Sequence, residues 1–185
     1  MTVTFNPAEN ISVGASPQSL IIEDVNGDNI LDIVTANANS SNVSVLLGNG
    51  LGVFVSSGDF SVGHRPFSVA VGDINGDGIL DLATANTDPQ SNNVSLLFGN
   101  GSGGFTSPSF LAIGRQPFSI ALGDFNNDSN LDITTANIGG STDVSVVLAD
   151  GTGGFNPLTN YSVGIRPESI AVGDFNNDNN LDIVT

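Results

Sequence analysis

The feature that most constrains this chain is a repeat. The stretches DVNGDNILD, DINGDGILD, DFNNDSNLD and DFNNDNNLD begin at Asp24, Asp73, Asp124 and Asp174, spacings of 49, 51 and 50 residues. Other signals keep that period. GNGLGVF, GNGSGGF and ADGTGGF begin at Gly48, Gly99 and Ala149, and SVGASPQS, SVGHRPFS, AIGRQPFS and SVGIRPES begin at Ser12, Ser61, Ala112 and Ser162. A unit of about 50 residues is right for one four-stranded propeller blade. Within the second unit, Ser68–Gly72, Leu80–Ala85, Val94–Phe98 and Phe105–Ile113 read as four strands. They show two-residue alternation and β-branched residues, with Gly, Asn and Asp punctuation between them. No stretch carries a helical stripe. The small residues Ser169, Ala171 and Gly173 suit an innermost strand crowded near an axis.

The reading is therefore all-β, with blades that are four-stranded antiparallel up-and-down sheets forming a partial propeller; a row of flat β-sandwich modules is the alternative. Residues 1–14 are expected to be the outer strand of a preceding blade. Residues 15–64, 65–114 and 115–164 are expected to be blades, and 165–185 the start of a further one. One third strand is missing even from a four-bladed closure. The expectation is a segment of a longer protein, with closure by self-association as the other possibility, since open strand edges invite pairing. Phe5, Phe54, Phe105 and Phe155, with Phe125 and Phe175, recur in register and read as blade-packing residues. Phe67 and Phe118 share a position held elsewhere by Gln18 and Glu168, and read as partly exposed.

Each Asp-rich loop has the form D-x-N-[GN]-D-x-x-x-D. Calcium takes six to eight oxygen ligands at about 2.3–2.6 Å, and such a loop supplies them from positions 1, 3, 5 and 9, with the backbone carbonyl of position 7. The candidate ligands are Asp24, Asn26, Asp28, Ile30 and Asp32, then Asp73, Asn75, Asp77, Ile79 and Asp81. The third loop offers Asp124, Asn126, Asp128, Asn130 and Asp132, and the fourth Asp174, Asn176, Asp178, Asn180 and Asp182. Position 4 is Gly27, Gly76, Asn127 or Asn177, residue types that tolerate positive φ. Three carboxylates within nine residues repel one another without a cation. These loops hold twelve of the 19 acidic residues, and one Ca²⁺ per loop, four in all, would bring the formal charge from −16 to −8. Asx-turns without metal do not call for three acids in every loop. Magnesium prefers a smaller octahedral shell. Zinc would want His or Cys, and the chain has one His and no Cys. An EF-hand would need a Glu at position 12, where Thr35, Thr84, Thr135 and Thr185 stand.

The pairing of D-x-N-x-D-x-x-x-D with G-N-G-x-G-G-F at this period resembles the FG-GAP (VCBS) repeat family. Its repeats form the blades of the integrin α-subunit β-propeller and of many bacterial secreted or surface proteins. The resemblance covers almost the whole chain. It implies calcium in the loop between the first and second strands of each blade, and adhesion or recognition rather than catalysis. Two departures bear on affinity: Glu23 stands where the other repeats have Gly72, Gly123 and Gly173, and Asn29, Ser129 and Asn179 replace the Gly that Gly78 keeps at position 6.

Charge and composition narrow the partners. A net charge of −16 with three Lys and Arg together argues against nucleic-acid binding and against an anionic membrane surface. One His and no Cys, with the Asp residues committed to metal, leave little for nucleophilic or general-base chemistry, so no enzymatic activity is expected. Up-and-down topology puts the calcium loops and the GNGxGGF turns on one face. The opposite face holds the 2–3 loops, from Asn37, Asn86 and Asn137, and 4–1 loops with His64, Arg65, Phe67, Arg115, Phe118, Arg166 and Glu168. Variable loops on a rigid scaffold are where binding lives, so a protein or glycan ligand is expected there. The functional reading is an extracellular, calcium-bound scaffold for adhesion or protein interaction. A lectin-like propeller and a non-catalytic accessory domain of a secreted enzyme are the alternatives. The sequon at Asn127 lies inside a metal loop, where a glycan would obstruct, which points to a bacterial, unglycosylated protein secreted or held at the cell surface.

Overall fold

A computed structural model describes Pro7 and residues 9–140, 142–151 and 153–185. Among these residues every regular element is a strand. The first sheet comprises Pro17–Glu23 (β1), Asp32–Asn37 (β2), Asn42–Gly48 (β3) and Phe54–Ser61 (β4). The second comprises Pro66–Gly72 (β5), Asp81–Asn86 (β6), Asn93–Leu97 (β7) and Ser109–Ala112 (β8), and the third Pro117–Gly123 (β9), Asp132–Asn137 (β10), Asp143–Val147 (β11) and Thr159–Ser162 (β12). A two-stranded sheet of Ala171–Gly173 (β13) and Asp182–Val184 (β14) ends the array. In each four-stranded sheet neighbours in sequence are neighbours in space, and every pairing is antiparallel. These are propeller blades, and the array is not closed.

The first strands of successive blades pack on one another, β1 on β5, β5 on β9 and β9 on β13, so the small-residue strand is the inner one. Residues pointing to opposite sides of a sheet alternate, and both sides of the second and third sheets are covered by neighbouring blades. This is why all six residues of β6 and of β10 are buried. One core lies between the first two sheets, joining Val34, Ala36, Val43 and Val45 to Val69, Leu82 and Leu97. Its repeat lies between the second and third, joining Ala83, Ala85, Val94 and Leu96 to Ile120, Ile133 and Val147.

Three details differ from the sequence reading. The outer strand of the second unit begins at Ser109, with Phe105 held only by an isolated bridge to Gly99. Pro108 removes a ladder donor there, and Pro157 does the same before β12, whereas β4 has no proline and runs unbroken from Phe54. Among residues 1–14, the described Pro7 and 9–14 form no strand; residues 1–6 and 8, and with them Phe5, lie outside the described residues. Their repeat counterpart β12 is held by pairing with β11. Of the recurring Phe, Phe105 and Phe155 pack against the two inter-blade cores, but Phe175 is 60% exposed, with no blade beyond β13 and β14 among the described residues.

Candidate functional site

All four Asp-rich loops join the first and second strands of a blade and adopt one wrapped conformation. Position 4 has positive φ in every loop: 75° at Gly27 and Gly76, 58° at Asn127 and 60° at Asn177. Position 6 repeats it at Asn29 (64°), Gly78 (84°), Ser129 (72°) and Asn179 (67°). The departures from Gly at position 6 are therefore accommodated in the left-handed region, which Asn enters more readily than most residues.

The wrap is held by the acidic side chains. Oδ1 of Asp24 accepts from the backbone N–H of Gly27 (2.8 Å) and Asp28 (3.1 Å), and its Oδ2 from that of Asn29 (2.6 Å). Asp73 does the same for Gly76, Asp77 and Gly78. Asp124 and Asp174 each accept from positions 5 and 6 of their loops. The position-5 carboxylates of Asp28, Asp77, Asp128 and Asp178 accept from the N–H of Ile30, Ile79, Asn130 and Asn180. They also meet the amides of Asn26, Asn75, Asn126 and Asn176 at 2.8–3.1 Å. Positions 1, 3 and 5 of each loop are thus knitted into one oxygen-rich cluster.

Position 9 differs. Asp32, Asp81 and Asp132 are fully buried as the first residues of β2, β6 and β10. One oxygen of each accepts from the residue after position 1, namely Val25, Ile74 or Phe125, at 2.8–3.0 Å. The other accepts from the turn between the third and fourth strands, at Gly48, Gly99 or Ala149 (2.8–2.9 Å). In the last blade Asp182 keeps only the first of these bonds, from Phe175 (3.0 Å). Among the described residues no three acidic or histidine side chains are gathered closely enough to cage an ion by themselves.

Protonation follows these environments. Burial pushes Asp81 and Asp132 above the usual carboxylate value, against the N–H bonds that hold them, and the neighbouring Asp77, or Asp128 and Asp124, add repulsion. Asp128 and Asp178 are held below it by the backbone N–H of Asn130 or Asn180. Desolvation pushes Asp24 upward, but four backbone N–H groups together outweigh it, and it too lies low.

The opposite face carries a feature the sequence reading missed. Asn37, Asn86 and Asn137, read there as loop residues, are the fully buried last residues of β2, β6 and β10. Each amide donates to the first residue of the third strand, Asn42, Asn93 or Asp143 (2.7–3.0 Å), and to Ser44, Ser95 or Ser145 (2.8–2.9 Å). Each oxygen accepts from Thr35, Thr84 or Thr135. The same serine hydroxyl accepts the backbone N–H of Gly14, Gly63 or Gly114, in the chain that enters the blade, at 2.9–3.1 Å. A Cβ on Gly63 would collide with the Asn86 amide, and one on Gly114 with that of Asn137. The repeated TAN tripeptide and the Gly after Val13, Val62 and Ile113 were visible in the sequence. Their partnership was not, because it joins segments about 30 residues apart.

A four-stranded blade repeated about an inner strand, with a wrapped Asp loop at one end of each unit, defines a class of repeat scaffold or interaction domain. A family model described as FG-GAP-like repeat matches residues 24–84 and again 80–135, more than half of the chain. The chain belongs to the FG-GAP-like repeat family. No curated protein matches the sequence. Among solved structures, an Agrocybe aegerita lectin, described by its specific recognition of non-reducing terminal N-acetylglucosamine, aligns at 21% identity with a TM-score of 0.51, covering 78% of this chain and 38% of that one. BBS1N, crystallised in complex with ARL6DN, aligns at 14% identity with a TM-score of 0.59, covering 91% of this chain and 50% of that one. The chain thus spans at most half the length of these two structures, and at such identities the likeness is one of fold.

Proposed function

We propose that the chain is a calcium-stabilised array of propeller blades that serves as a non-catalytic extracellular scaffold for adhesion or protein interaction. One observation carries this reading: the same wrapped loop, with the same positive-φ positions and the same oxygen-bearing side chains, recurs at the same place in all four units. The donor chemistry fits a hard cation, since every candidate group is a carboxylate, amide or carbonyl oxygen. Asp24, Asn26, Asp28, Asp32 and the carbonyl of Ile30 would hold one ion, and their repeat counterparts the other three. The ion, when bound, neutralises carboxylates that otherwise repel. The chain's own residues then do the rest: Asp32, Asp81 and Asp132 tie each loop to the neighbouring turn, and the loop closes one end of the blade.

Extracellular calcium is abundant enough to fill even weak sites of this kind, which favours a secreted or surface location and, with the Asn127 sequon, a bacterial source. The scaffold leaves the opposite face, with its 2–3 and 4–1 loops, to a protein or glycan partner. The test is thermal unfolding of the chain in millimolar calcium, in magnesium and in chelator. The melting temperature is expected to rise in calcium, each site adding about 2.7 kcal/mol at a hundredfold excess over Kd. A melt indifferent to calcium and chelator removes the metal from the proposal.

A further inference from the structure

The cations of this acidic chain stand on one face. Arg65, Arg115 and Arg166, with His64, all lie in the connections that lead from an outer strand to the next inner strand. Arg166 is paired with Glu168 at 3.4 Å. The guanidinium groups of Arg65 and Arg115 have no carboxylate partner among the described residues. Arg65 instead lies over the ring of Phe67, 5.5 Å from its centroid. Phe67 packs against Phe118 of the next blade with centroids 4.9 Å apart and ring planes at 45°. Both rings remain partly exposed.

The fold fixes this arrangement. Phe67 and Phe118 are the second residues of β5 and β9, adjacent inner strands joined by Ile120 N–H donating to Ser68 Oγ (3.3 Å). Thr87 Oγ1, from the 2–3 loop, donates to the carbonyl of Pro117 (2.7 Å). Arg65 precedes Pro66 yet has φ 55°, and its counterparts Ser16, Gln116 and Arg166 have 59°, 51° and 54°. Positive φ is uncommon for residues other than Gly and persists where the surroundings hold it; here Thr87 N–H donates to the Arg65 carbonyl (2.9 Å) and Ile138 N–H to that of Gln116 (3.1 Å). Side chains launched from such a turn are pre-organised, which lowers the cost of binding.

We propose that Arg65, Phe67, Arg115 and Phe118 form a recognition patch for an acidic peptide segment of a protein partner. Its carboxylates would engage the two unpaired guanidinium forks, and its apolar parts would lie against the rings. The proposal rests on the reading of this face as the interaction face and names what it takes. The overall negative charge does not oppose it. A strand of six residues separates the faces by about 20 Å, more than twice the screening length of about 8 Å at physiological salt. Of the nearby carboxylates, Glu168 is spent on Arg166. Asp88 lines a separate hollow of about 300 Å³ with His64, Gln90 and Ser91, and its Oδ1 accepts from the N–H of Gln90. Arg65 lies over the face of Phe67 on which a sugar ring would stack, and the part-exposed remainder of the two rings is left for apolar groups of a peptide.

The test is fluorescence anisotropy of labelled hexaglutamate on the full 185-residue chain in calcium at about 150 mM salt, with hexagalacturonate as competitor. Saturable binding is expected, weakened about tenfold or more in the double variant R65Q/R115Q and unchanged in R166Q. R115Q alone, and the circular dichroism of each variant, guard against loss of fold. Absence of saturable binding, equal binding by folded R65Q/R115Q, or tighter binding of hexagalacturonate overturns the proposal. A chain whose melt responds to calcium but which ignores hexaglutamate loses this patch and keeps the calcium reading. A chain that binds hexaglutamate while its melt ignores calcium does the reverse.

Discussion

At the scale of single residues, the four Asp-rich loops contain two kinds of aspartate that the sequence writes with one letter. The position-5 carboxylates sit at the solvent-exposed edge and are bonded only within their own loops. The position-9 carboxylates of the complete blades are buried and bridge the loop to the neighbouring turn. Substitution separates them. Asp81→Ala strands the N–H groups of Ile74 and Gly99 and is expected to cost on the order of 2 kcal/mol in chelator, read by urea unfolding. Asp77→Ala should leave that baseline within about 0.5 kcal/mol and reduce only the gain in melting temperature on adding calcium. The glycines that enter each blade make a second pair. Gly63→Ala brings a Cβ to 2.7 Å from Cγ of Asn86 and is expected to destabilise by roughly 1–3 kcal/mol as overpacking. Gly164→Ala meets nothing within 4 Å and should be close to neutral in the same measurement. The spacing of Asp, Asn and Gly was enough to locate the loops and the positive φ at position 4. It could not reveal which carboxylate is buried, because burial of Asp81 depends on the turn at Gly99, eighteen residues away.

Among the elements, alternation and turn residues placed all four strands of a unit within a few residues of their observed positions. The misses have local physical causes. Proline shortens the outer strands β8 and β12. The middle strand extends by one residue to Asn86 because an amide at its end is captured by Asn93 and Ser95, an arrangement no two-residue pattern encodes. Protection against exchange should follow the same order. Amides of β6 and β10, buried on both faces and paired on both edges, are expected to exchange slowest, and those of β13 and β14 fastest, since β14 has a partner on one edge only. Hydrogen exchange read by mass spectrometry checks this; comparable protection in β14 and β6 would show that the short sheet is covered by something further.

For the whole molecule, charge governs stability, and pH gives a signed test of it. Asp81 and Asp132 have folded values raised above 3.8, so they bind their protons more tightly folded than unfolded. Their effect is to lower stability as pH rises through the raised values and to restore it as pH falls toward 3.8. Asp24, Asp128 and Asp178, with lowered values, contribute stability above 3.8 that is lost only below it. The melting temperature of metal-free chain is therefore expected to rise as pH falls through the raised values of Asp81 and Asp132 and to turn over below 3.8, where Asp24, Asp128 and Asp178 lose their contribution. In calcium the increment should shrink over the same range, because protons compete for the ligands. Differential scanning calorimetry with and without chelator distinguishes the two curves.

The glycine N–H that meets a serine hydroxyl at the entry to each of the three four-stranded blades has a consequence for how such chains grow. Every joint uses the same three parts, one from the incoming segment and two from the unit it enters, so a duplicated unit arrives with both halves of its fastening already matched. Gain or loss of a whole period therefore calls for no compensating change elsewhere. Length is the cheapest property for this architecture to vary, while the chemistry of a joint is among the hardest.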